Sequence, residues 1–138
     1  MLRDIITEKS EGGDGKMKVA VIGASNIDIT ARPYGKYIPR DSNPSRVTVT
    51  YGGVGRNIAH NLCLLGETVD FITCFGGDEY ASLLMEDCRR LGMDISRAAV
   101  YPKERSSYYI CITDEGGDLA SGASDMELAK HIDVPFLT

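Results

Sequence analysis

The sequence predicts an α/β fold: a parallel sheet covered by helices, with a smaller set of antiparallel strands beside it. Three observations predict it. A continuous apolar run, KVAVIG at 18–23, and a second buried-type segment, VDFITC at 69–74, read as strands buried on both faces. Helical patterns at 54–65 and from Asp78 onward alternate with them, as in parallel sheets built with right-handed crossovers. Two other stretches, near 29–51 and 106–122, alternate apolar with polar residues around turn formers, the mark of half-exposed antiparallel strands.

Residues 1–17 read as a tail or linker, a short helical remnant LRDIITEK followed by the breaker-rich SEGGDG. After the first buried strand, residues 29–37 and 46–51 form two strands joined by the turn-dense PRDSNPS. In VGRNIAHNLCLL, Ile58, Ala59, Leu62 and Leu65 recur at helical spacing, and Gly66 supplies the C-terminal stop. Asp78 is placed to cap the helix ASLLMEDCRRL, which Gly92 ends. SSYYICIT at 106–113 pairs through the turn DEGGD with LASGAS. ASDMELAKHI reads as a last helix capped by Ser124 or Asp125, and DVPFLT begins a further element.

Composition narrows the class. Among 138 residues, 43% are apolar and 25% charged, which suits a globular chain. Fifteen basic and 20 acidic residues give a net charge of -5 without any Lys/Arg cluster, so neither nucleic acid nor an anionic membrane is an expected partner. No apolar run approaches the roughly 18 residues of a membrane span, and MLRDIITEKSEGG lacks a signal-peptide core, so a cytoplasmic location is expected. Cys63, Cys74, Cys88 and Cys111 are widely spaced in apolar segments and read as buried, reduced thiols. His60 and His131 are too few for a histidine zinc site, and no metal site is expected.

The 15 glycines cluster where the chemistry should be. Gly23-Ala24-Ser25-Asn26-Ile27-Asp28 follows the first strand, at the sheet edge where open α/β folds bind ligands. The Asp28 carboxylate can accept from a vicinal diol and Asn26 offers donor and acceptor; capping a turn is the competing role for both. Gly52-Gly53-Val54-Gly55-Arg56-Asn57 opens a helix whose first N–H groups lack intrahelical partners. Its spacing departs from the dinucleotide fingerprint, and no Walker pattern occurs anywhere in the chain. Phe75-Gly76-Gly77-Asp78 ends the second strand, with Asp78 mainly a helix cap.

Taken in order, KVAVIGASNIDIT, TYGGVGRNIAHNLCLLG and VDFITCFGGDEYASLLMEDCRRLGMDIS resemble the N-terminal half of ribokinase-like, PfkB-type carbohydrate kinases. The wording GASNID and GGVGRNIAHNL is most similar to the pseudouridine kinase branch. The resemblance runs from about Lys18 to the end and implies the N-terminal part of a ribokinase-like domain over 18–138. It implies that Asp28 holds sugar hydroxyls beside Asn26, that Gly52, Gly53 and Gly55 abut the sugar, and that Asn57 bonds another hydroxyl. Residues 29–51 and 106–122 match the lid, where Tyr108 or Ile110 is the side chain expected to face the substrate; simple sheet packing is the competing role.

The family's D-T-x-G-A-G-D segment, with its general base and anion hole, does not occur in these residues, nor do its magnesium motif and ATP pocket. The resemblance thus implies no catalytic residue here and an inactive fragment, with ATP and magnesium acting in the parent enzyme and neither bound by this portion. A small sugar or nucleoside is the implied ligand, and a homo-oligomer through lid strands or the exposed sheet edge the implied assembly. A non-catalytic sugar- or nucleoside-binding module is the alternative.

Overall fold

The computed structural model describes Ile5, Ile6 and residues 18–137. In chain order the elements are β1 (Ile5–Ile6), β2 (Lys18–Ile22), β3 (Asn26–Pro33), β4 (Ser45–Gly52), α1 (Val54–Leu64), β5 (Thr68–Ile72) and β6 (Cys74–Phe75). They continue with α2 (Glu79–Arg90), β7 (Met93–Asp94), β8 (Ala99–Val100), β9 (Ser107–Thr113), β10 (Leu119–Asp125), a 3-10 turn at Leu128–His131, and α3 (Val134–Leu137).

The first sheet runs β1-β2-β5-β7, with β2, β5 and β7 parallel and β1 antiparallel at the edge. Ile5 and Ile6 therefore form a strand where a helical remnant is expected; the rest of residues 1–17 lies outside the described residues. Val19 and Val21 pair with Val69 and Phe71, and period-2 alternation turns all four to one face, where they meet Ala59 of α1 with Leu84 and Cys88 of α2. The apolar runs are strands because helices cover them. Both helices end as their sequences require: the Gly66 N–H donates to Cys63 O and the Glu67 N–H to Leu62 O, a Schellman closure with Gly66 at φ 87°.

The second sheet, the lid, runs β10-β9-β3-β4. β3 pairs antiparallel with β4 along its whole length and parallel with β9, so the lid is mixed where an antiparallel one is expected. The cause is topological: β9 returns only after the chain has passed through β5 to β8. β3 also begins three residues earlier than the alternation suggests, because Asn26 and Asp28 pair with Gly52 and Thr50. The last helix is another correction. Ser124 and Asp125 stay in β10 opposite Tyr109 and Tyr108, and the segment up to His131 forms a 3-10 turn in place of the helix, its approach held by the Glu127 N–H donating to Asp125 Oδ1 at 3.3 Å.

Candidate functional site

The seam between the two sheets brings the first two glycine clusters together. Asn26 and Asp28, two residues apart on β3, project on one face of the lid; Asn26 is buried and its Nδ2 donates to Asp28 Oδ1. They are strand residues, which answers the question of a turn cap. At the end of β4, a Cβ on Gly52 would overlap the Asp28 carboxylate, lying 2.8 Å from its Cγ. Gly53 sits at φ 99°, where a Cβ would come 2.9 Å from Asn26 Oδ1. Gly55 lies against Gly23 so closely that a Cβ would be 2.8 Å from its Cα. These glycines let α1 start directly beside the acid and amide of β3.

No side chain caps α1, so the Val54 and Gly55 amides at its start lack intrahelical partners. The Arg56 N–H reaches Ala24 O at 3.4 Å, and the Asn57 N–H donates to Gly53 O. Asn57 is exposed, with Oδ1 accepting from Arg56 Nη1 at 3.2 Å. Burial pushes the Asp28 carboxyl above its ordinary value, and the Asn26 hydrogen bond and Arg56 charge pull against this without cancelling it. The seam thus gathers Asn26, Asp28, Gly52, Gly53, Gly55 and Asn57. Chemically it offers an acceptor-only carboxylate, amide donors and unpaired helix N–H groups, a set suited to hydroxyls.

Tyr108 does not join them. It pairs with Ile27, on the face opposite Asp28, where its hydroxyl donates to Asp78 Oδ2 at 2.9 Å and its ring meets Tyr80 edge-on at 6.1 Å. Burial, and then the Asp78 bond, push this hydroxyl up to about 12. Ile110 shares that face. The lid residues that flank Asp28 on its own side are Tyr109 and Thr50, each directly opposite it in register. Sequence reasoning missed both, because the parity of SSYYICIT is set by its pairing with β3.

Asp78 does more than cap. Its Oδ1 accepts from the Ala81 N–H and from Ser106 Oγ, and its Oδ2 from the Ser106 N–H and the Tyr108 hydroxyl, so it ties α2 to the root of β9. With Asp78 so occupied and Asp87 held between Arg56 and Arg90, the acids near the seam are already partnered, and among the described residues no three His, Cys, Asp or Glu side chains could hold a metal ion.

A parallel sheet, a four-stranded lid and a glycine-lined acid and amide at their seam define a ribokinase-like α/β protein. The chain belongs to the pfkB carbohydrate kinase family, which residues 16–133 match. A pseudouridine kinase of Escherichia coli (strain K12) is 33% identical over 119 residues, 86% of this chain and 38% of that protein. Among solved structures, a carbohydrate kinase from Agrobacterium tumefaciens is 31% identical with a TM-score of 0.74, covering 80% of this chain and 36% of the other. A ribokinase from Thermotoga maritima is 27% identical with a TM-score of 0.66, over 77% of this chain and 35% of its own. The chain therefore spans little more than a third of the length of these proteins.

Proposed function

We propose that this chain is the substrate-binding and lid portion of a kinase that passes the γ-phosphate of ATP to a hydroxyl of a sugar or nucleoside, pseudouridine foremost. The observation that carries it is the Asp28 carboxylate, hydrogen-bonded by Asn26 and packed against Gly52, next to the uncapped start of the helix that carries Asn57. Ionised Asp28 accepts from ligand hydroxyls, Asn57 and the first amides of α1 donate, and the lid shields the bonds from water. Kinship with a pseudouridine kinase supports the nucleoside class. Base, nucleotide site and magnesium belong, in this reading, to a part of the protein outside these 138 residues, and these residues have no catalytic role of their own.

The protein acts in the cytoplasm on a small molecule, without nucleic acid or membrane partners; no described helix is long and apolar enough to cross a membrane. Its partner is a second copy. The lid face turned away from Asp28 carries Val47, Val49 and Ile110 at 60%, 43% and 46% exposure, an apolar surface that lid-to-lid association covers. Light scattering on the full-length protein should give a dimer or larger; a monomer at high concentration overturns this assignment.

The site is tested by Asp28→Asn in the full-length protein, assayed with MgATP against pseudouridine, ribose, fructose and adenosine. Loss of charge-assisted bonds should raise KM for the phosphorylated ligand about 10- to 100-fold. Thermal stability at pH 7 should not fall. A carboxyl whose folded pKa is raised weakens the fold once pH exceeds that pKa, and the neutral amide removes the penalty. Unchanged KM overturns the assignment.

A further inference from the structure

We propose that Arg56, anchored by Asp87, is a positioning residue that holds the Asn57 amide with its donor side toward the ligand. The inference rests on Asn57 being a ligand contact, and it deepens that reading. Arg56 lies on the first turn of α1 and is 7% exposed. Its Nη2 donates to Asp87 Oδ2, 31 residues on and on the neighbouring helix, while the other Asp87 oxygen accepts from Arg90 Nη2. Burial pushes the Asp87 carboxyl up, but the two guanidiniums outweigh it and hold it below the ordinary range, so the anchor stays ionised at neutral pH.

The remaining arm of the fork, Nη1, donates to Asn57 Oδ1 at 3.2 Å. Arginine has five N–H donors and no acceptor, so only the carbonyl oxygen of Asn57 can face it. Rotating the amide by half a turn would set N–H against N–H. The contact therefore leaves Nδ2 pointing away with two donors, and none of the described residues accepts from it. An amide held this way donates to a ligand hydroxyl, whereas Asp28, when ionised, can only accept from one.

Stability alone does not account for an arginine here. Its Nε is buried without a partner, at a cost of about 1–3 kcal/mol. Buried ion pairs are often replaceable by apolar side chains of similar volume without loss. The fixed donor direction of Asn57 is what such a side chain would not supply.

The test is a double-mutant cycle in the full-length protein, reading KM for pseudouridine and ribose with Arg56→Lys, Asn57→Ala and the double variant. Lysine keeps a charge for Asp87 but lacks the fork that reaches both partners. Arg56→Lys should raise KM about 2- to 10-fold with Asn57 present and leave it nearly unchanged in the Asn57→Ala background. An equal change in both backgrounds, or none in the first, overturns the positioning role. Asn57→Ala alone with an unaltered KM overturns instead the ligand-contact reading on which it rests. Should Arg56→Lys fail to fold, Asp87→Asn replaces it in the same cycle, with the same coupling expected and the same additive result overturning it.

Discussion

Asp78→Ala should be among the most disruptive substitutions of a partly buried polar side chain, because one carboxylate serves four donors. The Ala81 N–H bond at 3.0 Å is a helix cap, for which alanine replacement costs about 1 kcal/mol. Ser106 is 4% exposed, so its N–H, which donates at 2.8 Å, is left buried without a partner at about 1–3 kcal/mol. The Tyr108 and Ser106 hydroxyls lose an acceptor each, at about 1 kcal/mol where no water replaces it. Together the loss should reach about 4–6 kcal/mol in urea unfolding. Asp78→Asn keeps the cap but turns N–H groups toward the Ser106 N–H, and should cost about 2–3 kcal/mol. Burial raises the Asp78 carboxyl, but its four hydrogen bonds lower it further, to below its ordinary 3.8. A depressed pKa stabilises above the unfolded value and is lost as pH falls through the folded one, so the wild-type advantage should be full above about pH 4 and shrink in more acid solution. The measurement that decides is hydrogen exchange at the Ser106 amide, which should speed up in Asp78→Ala. A loss of only about 1 kcal/mol with unchanged exchange would reduce Asp78 to a cap and refute its role at the root of β9.

Glycine substitutions should separate site from scaffold. Gly52→Ala places a methyl on the Asp28 carboxylate and should weaken ligand affinity about tenfold or more while costing about 1–3 kcal/mol of stability. Gly66→Ala, with open space around it but φ at 87°, should cost about 1 kcal/mol and leave affinity untouched; equal ligand effects would contradict the close-packed seam. Burial raises the Cys74 and Cys88 thiols to about 11, with Asp133 and Glu104 adding to it at Cys74. In the native protein at pH 8 both should react with a disulfide reagent far more slowly than after denaturation, and fast native labelling by mass spectrometry would argue against their burial.

Much of the frame is legible because its causes are local. Residues 18–23 and 69–74 announce strands by their apolar character, although Thr73 divides the second into β5 and β6, and Asp78 and Gly66 mark helix ends by their own side-chain and backbone chemistry. Asn26 and Asp28 could be named because ligands of open α/β sheets lie at strand ends, whereas Asn57 and the glycines of the seam came from the resemblance. Facing was not legible. Whether Tyr108 or Tyr109 shares a side with Asp28 depends on the pairing of Asn26 with Ser107, a register fixed 81 residues apart. Ser124 and Asp125 are good helix caps by type, yet strand pairing with Tyr109 and Tyr108 prevails. The Arg56–Asp87 pair joins two helices and leaves no trace in either one's pattern.

The placement of Asp78 has a mechanical consequence. It clamps Ser106 and Tyr108 beside the first rows of β3, whereas the free tip of the lid lies at Pro33 and Ser45. At about 3.3 Å per residue, Asp28 sits about 7 Å along the arm from Asn26 and Pro33 about 23 Å. A swing of about 10° about the root would carry the tip about 4 Å but the carboxylate only about 1 Å. The gripping groups ride near the fulcrum, so the doorway can widen while the handhold on the ligand barely shifts.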